Sequence, residues 1–232
     1  MTLEENRKTW SEYAWPAGGH EWSVAWGTTE AMWHWTIYPR IHRWLHGSVL
    51  EIACGYGRIT PFLQKHTAEY VGVDMTEKCV DACRARLPGK YFINDGCTLA
   101  DVASSSIDFA FSWDSLVHAD PETMRSYVHE LARVLKPDGA AFIHHSNAGA
   151  CSAPFGLRDA FMTAEMMRAF GDEVGLRRQA QELVDWCCDE LTDCFSLLRS
   201  GPASREMVCN LHFRAEMAHV ARASALWRNL GA

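Results

Sequence analysis

Three histidines and an aspartate follow apolar runs, at points where a strand would end. Asp114 and His118 lie in SWDSLVH, and His144 and His145 in FIHHSN. A free imidazole titrates near pH 6.5, so a positioned histidine can take a proton from a hydroxyl at neutral pH. The expected catalytic set is His144 or His145 as the base, with His118 and Asp114 as partners. Asp114, His144 and His145 also offer oxygen and nitrogen donors that would hold Mg²⁺ or Mn²⁺ loosely. Successive strand residues point to opposite faces, so one of the paired histidines faces a given side, although both can reach the edge of a cleft. His66 and His129, on expected helices, read as ordinary hydrogen-bonded side chains.

A second feature is LEIACGYGRIT, an apolar run that breaks into a turn at Gly55 and Gly57. Removing side chains there lets a ligand approach the backbone. A second run ends in Val71-Gly72-Val73-Asp74, where an acid can accept both hydrogen bonds of a ribose diol. A third is followed by Asn94-Asp95-Gly96, where an adenine edge can be read. A glycine turn, a ribose acid and an adenine loop on consecutive strand ends point to an adenosine-containing cofactor. A dinucleotide fingerprint wants a small residue where Thr60 stands, and the acidic Glu51 suits a cationic ligand better than a pyrophosphate.

These residues need a scaffold of alternating elements. Strands are expected at 48–53, 69–73, 90–93, 107–112, 139–145, 180–185 and 191–198, and helices near 58–66, 76–87, 121–135, 163–175 and 204–228. That alternation predicts an α/β fold, a parallel sheet with helices on both faces and ligands at the carboxyl ends of the strands. Upstream, residues 1–21 read as a helix ending in a loop at Pro16-Ala17-Gly18-Gly19. A second helix opens at Thr28 or Thr29 and runs to about Leu45, disturbed at Pro39. Two units follow from this, a Trp-rich helical lid over 1–45 and the α/β domain over 46–232.

The motifs VLEIACGYGRIT, VGVDMTEKCVDACRARL, NDG, IDFAFSWDSLVH and ELARVLKPDGAAFIHHSN, in that order, resemble the successive motifs of the class I S-adenosylmethionine-dependent methyltransferases. The resemblance covers roughly residues 48–200. It implies a Rossmann-like, seven-stranded, mostly parallel sheet whose last strand, LTDCFSLLRS, is antiparallel. It implies S-adenosylmethionine as cofactor. Gly55 and Gly57 would back its methionine part, Asp74 would hold the ribose, and Met75 would lie on the adenine. Asp95 and Gly96 would meet the adenine edge, Trp113 would close that side, and Glu51 would organise the glycine loop through a bridging hydrogen bond. SWDSLVHAD with FIHHSN is similar to a branch that methylates sugars and glycans, the mycobacterial methylmannose polysaccharide enzymes among them. That similarity implies O-methylation of a sugar or oligosaccharide, with a mannoside as one candidate acceptor. Trp22 and Trp26 from the lid, Tyr56 from the turn and Arg158 in FGLRDAF would meet the acceptor, with Gln181, Glu182 and Trp186 nearby. The rival readings are a natural-product methyltransferase and a non-catalytic adenosyl-binding domain; paired histidines at a strand end argue against the latter.

Composition narrows the partners. The net charge is −7 without a basic cluster, which argues against nucleic acid. No apolar run is long enough to span a bilayer, and the charged start MTLEENRKTW lacks a signal-peptide core. Nine scattered cysteines without a CxxC read as reduced thiols of a cytoplasmic protein, and a homodimer stays open. Of ten tryptophans, seven lie in the first 44 residues. They read either as helix packing or as an aromatic lid whose indole faces suit sugar C–H faces or a cation. In the lid reading the segment covers the acceptor pocket, while the strand ends alone supply the cofactor contacts.

Overall fold

The computed structural model describes residues 1–152, 156–204 and 206–229. The expected helix near 204–228 includes position 205, and FGLRDAF begins at Phe155; both positions lie outside the described residues. The sheet runs in the order β3-β2-β1-β4-β5-β7-β6-β8. Its strands are β1 (Ser48–Ile52), β2 (Glu69–Asp74), β3 (Lys90–Ile93), β4 (Ile107–Ser112), β5 (Leu135–Ser146), β6 (Leu176–Val184), β7 (Asp193–Ser200) and β8 (Met207–Asn210). The first five pair in parallel, and β7 runs antiparallel to both β5 and β6. This is the expected doubly covered α/β sheet with an antiparallel strand near one edge. It has eight strands, however, because Met207–Asn210 pairs in parallel with β6 where a helix was expected. The last helix, α8 (Phe213–Asn229), starts only after that strand.

The order reverses at β1, with β2 and β3 on one side and β4 onward on the other. A crevice therefore opens between the carboxyl ends of β1 and β4, the usual ligand position in such sheets. The strand residues alternate into two cores. Val49, Phe109, Phe111, Ala140 and Phe142 face the N-terminal helices and α8. Leu50, Ile52, Ala110, Ala141 and Ile143 face α6 (Pro121–Val134) and α7 (Ala164–Glu173).

Ahead of the sheet, α1 is shorter than expected, at Leu3–Glu12, closed by a capping box in which the Thr2 hydroxyl and the Glu5 carboxylate satisfy each other's backbone. A 3₁₀ turn follows at His20–Trp26. Thr28 caps α2 (Thr29–Met32), which passes through a π turn at Trp33–Ile37 into α3 (Tyr38–Ile41). Pro39 cannot donate to the turn before it, and the helix widens just there. Among the described residues no helix is long and apolar enough to cross a membrane.

Candidate active site

The crevice is a cavity of about 210 Å³ at the ends of β1–β4, roofed by the N-terminal segment. Its floor is the turn after β1. Gly55 and Gly57 both adopt positive φ, and Ala53, a residue with a side chain, does so at φ 57°. Only Gly55 of the two glycines lines the cavity. A Cβ on Gly57 would stand 2.5 Å from Leu87 Cδ1, so that glycine serves the packing of α5 (Glu77–Arg86) rather than a ligand.

Asp74 organises this turn. Its Oδ2 accepts the Gly55 N–H at 2.8 Å and its Oδ1 accepts the Thr76 N–H at 2.9 Å. Burial raises its carboxyl above the usual range against the pull of those donors. Glu51 was expected in that role. Glu51 does line the cavity, and its Oε2 accepts from Thr60 Oγ1 at 2.6 Å and from the Tyr70 hydroxyl, tying α4 (Thr60–Gln64) to β2. Burial pushes its carboxyl up to about 7.

Met75, Asn94, Gly96, Thr123 and Tyr127 form the side of the cavity next to β3. Asp95 is not among them. Its carboxylate is consumed by its own loop, accepting from Cys97 N at 2.9 Å and Thr98 N at 2.6 Å. Trp113 was expected on this side too. It lines the cavity from the face that Phe109 and Phe111 share, where its ring lies 5.0 Å from His144 and 5.7 Å from Trp186.

The three histidines separate sharply. His118 lines the cavity, and its Nδ1 lies 2.8 Å from the Leu157 carbonyl oxygen. A carbonyl only accepts, so Nδ1 carries the proton and Nε2 keeps its lone pair. No described residue bonds Nε2, and burial holds the imidazole below its ordinary pKa. His144 and His145 do not line the cavity. His144 Nδ1 accepts the Asp114 N–H at 3.1 Å, so its Nε2–H donates to Asp193 at 2.8 Å. His145 faces the α7 side, with Nδ1–H on the Ser146 carbonyl and Nε2 on Ser196 Oγ. Burial pushes it down to about 4. Both rings are fully buried, and each nitrogen is spoken for. The structure therefore does not bring His144 or His145, expected as the base, to the cavity, and of the three histidines His118 lines it. The expected metal set fails for the same reason, and among the described residues no three His, Cys, Asp or Glu side chains are grouped to hold an ion.

Asp114 sits at φ 55° between Arg58 and Arg158, each 3.5 Å away. Arg158 also grips Asp193 through Nε and Nη2. Burial alone would raise Asp193, but Arg158 and His144 outweigh it and hold the carboxyl below its usual range. Arg158 and Asp114 in the cavity wall thus close a ring with Asp193 and His144 behind it.

The roof consists of Leu3, Asn6, Trp10, Trp15, Gly19 and Trp22. Asn6 Nδ2 donates to the His118 carbonyl at 2.7 Å, and Trp10 Nε1 donates to Asn6 Oδ1 at 3.1 Å. Arg7 reaches the Asp95 carbonyl, and Lys78 Nζ holds the carbonyls of Ser11 and Tyr13. This segment therefore covers the cofactor-type strand ends as well as the neighbourhood of His118. Of the residues expected to meet the acceptor, Tyr56, Trp22 and Arg158 line the cavity. Trp26 does not: it is 1% exposed, and its Nε1 donates to Thr36 Oγ1 within the core. Trp10 and Trp15 belong to the tryptophan cluster read as a lid, while sequence reasoning missed Asn6, Arg58 and Asp193, of which only Arg58, directly after the glycine turn, carried a local signal.

Comparison with known proteins identifies the fold class. Residues 49–139 match a family described as a methyltransferase domain. Over 97 residues, 41% of the chain, the sequence is 36% identical to the biotin biosynthesis bifunctional protein BioHC of Cellvibrio japonicus. The matched stretch spans about a fifth of that relative, 19% of its length. A SAM-dependent methyltransferase of Leishmania major superposes with a TM-score of 0.65 at 16% identity, covering 85% of this chain and 82% of that one. DhpI in its complex with SAH superposes at 0.59 and 17% identity, covering 87% and 96%. Residues 49–139 thus resemble a methyltransferase domain, and the chain shares the Rossmann-like fold of these methyltransferases.

The cavity fits an adenosyl sulfonium cofactor. Gly55 removes a side chain from the floor, Asp74 closes the end of β2, and the indole N–H groups of Trp15 and Trp113 in its wall are buried without a partner.

Proposed function

We propose that this protein is an S-adenosylmethionine-dependent O-methyltransferase acting on a hydroxyl of a sugar or oligosaccharide, with a mannoside as one candidate acceptor. One observation carries the reading. His118 is fixed with its proton on Nδ1 and its Nε2 lone pair uncommitted, in the same cavity as the glycine turn and Asp74.

S-adenosylmethionine, when bound, supplies a methyl carbon made electrophilic by the adjoining sulfonium. Asp74 would accept from the ribose diol at Oδ2, through the lone pair that the Gly55 N–H leaves free, since Thr76 occupies Oδ1 with its N–H and its hydroxyl, and Met75, Asn94 and Gly96 would lie against the adenine. His118 takes the proton from the acceptor hydroxyl at Nε2. Burial favours the neutral imidazole, the form able to do so. The Leu157 carbonyl holds that ring and Asn6 holds the His118 backbone carbonyl, and the roof excludes water. Alignment of acceptor and methyl contributes the rest, since proximity alone is worth several kcal/mol of barrier.

A hydroxyl acceptor is supported by the presence of a base, which a free amine does not require. A sugar is supported by the indole faces of Trp10 and Trp22 in the roof and by the polar pair Asp114 and Arg158 in the wall. The test is transfer of labelled methyl from S-adenosylmethionine to a panel of mannosides and partly methylated mannosides, analysed for methyl ethers. The reading expects an ether product that disappears with His118→Gln. Label found only on amine or thiol acceptors, with His118→Gln fully active, contradicts it.

A further inference from the structure

The N-terminal segment places an aromatic wall between the cofactor floor and the base. The Trp15 indole lies over the glycine turn: a Cβ on Gly55 would meet its Cη2 at 3.4 Å and its Cζ3 at 3.5 Å. Trp15 also packs against Tyr56, with centroids 5.2 Å apart. Trp10 bridges onward, 5.9 Å from Trp15 on one side and 5.0 Å from the His118 ring on the other. Tyr13 and Trp22 complete the cluster at 5.2–6.1 Å. Electron-rich ring faces suit a cation.

We infer that the wall of Trp10 and Trp15 recognises the positive charge of the sulfonium, so that the site favours the charged methyl donor over its neutral thioether product. The inference rests on the cofactor reading above and adds to it a discriminating element outside the strand ends. The methyl must travel from the floor at Gly55 toward His118, and Trp10 and Trp15 flank that path from end to end. The charge lost on transfer is the charge the wall attracts. The roof then holds the donor more firmly than the spent cofactor, which eases release of the product.

Calorimetry of cofactor binding tests this without an acceptor. The probes are S-adenosylmethionine, S-adenosylhomocysteine and sinefungin, which carries an ammonium near the position of the sulfonium. In Trp15→Leu and Trp10→Leu the affinity for the two cations should fall relative to that for S-adenosylhomocysteine by about 3- to 30-fold, the range of a desolvated cation–π contact. Trp15→Phe keeps the bulk of the ring and should give a smaller change of the same sign, which preserves the test if the leucine variants do not fold. Trp35→Leu, at an exposed indole away from the cavity, should change neither affinity. If all three ligands weaken equally, the wall is a plain lid and the inference falls while the cofactor reading stands. Wild-type protein that binds none of the three removes both.

Discussion

The two halves of the crevice are built in different ways. Around β1–β3 the site is made by backbone: a left-handed turn at Ala53, Gly55 and Gly57, fixed by an aspartate one strand away. Around β4 and β5 it is made by side chains drawn from distant parts of the chain. His118 is oriented by Leu157 and Asn6, and Asp114 by His144, Asp193 and Arg158. A backbone cradle recognises what all cofactor molecules share. A side-chain lattice can be re-cut residue by residue, as an acceptor site must be when substrates change.

The comparison can be broken by substitution, and the largest effect belongs to the acceptor half. Replacing His118 with Gln should lower kcat by about 10²–10⁴-fold with cofactor affinity nearly unchanged. The wild-type rate should rise with pH as His118 loses its proton. Because burial depresses that pKa, the rise should be complete by neutrality rather than centred there. A rate insensitive to His118 would return the base to another group.

Next in size is Asp193→Ala. It leaves the Arg158 guanidinium and the His144 Nε2–H buried without their partner, and breaking such a pair costs about 3–5 kcal/mol. Denaturant unfolding should show a loss of that order. A loss under 1 kcal/mol would mean that the ring behind the wall does not support the fold.

In the cofactor half, Asp74→Ala should raise the Kd for S-adenosylmethionine tenfold or more, from the loss of charge-assisted hydrogen bonds and of the Gly55 tether. Unchanged affinity in a folded variant would remove Asp74 from the site. The smallest effect is at Ala53. A side chain at φ 57° is strained by about 1–2 kcal/mol, and a glycine there loses up to about 1 kcal/mol through the unfolded chain. Ala53→Gly should therefore stabilise the protein by about 1 kcal/mol or less, and a clear destabilisation would contradict the account of the turn.

The sequence carried the backbone half well and the side-chain half poorly, for a physical reason. Glycines and strand-terminal acids declare themselves within a few residues, so Gly55 and Asp74 were legible before any coordinates. Asp95 and Gly57 looked equivalent to them but serve a loop and a helix contact, a difference set by Thr98 and Leu87. The histidines were legible as a group and not as individuals. Which one keeps a free nitrogen depends largely on distant partners, up to 51 positions away, beyond any local pattern. Alternation placed His144 and His145 on opposite faces but could not show that both faces are sealed. The tryptophans were conspicuous in number, yet only their packing separates the core residue Trp26 from the roof residues Trp10 and Trp15. The edge strand β8 escaped because four residues before a long helix read as part of it.

The central claim is that His118 alone of the three histidines presents a free basic nitrogen to the cavity. Nitrogen-15 NMR of the imidazole rings, assigned with single His→Gln variants, tests it directly and needs no acceptor. At pH 7.5 the account predicts His118 neutral and protonated on Nδ1, with an acceptor-type Nε2, while His144 carries its proton on Nε2. A His118 ring protonated on Nε2, or charged at that pH, would contradict it.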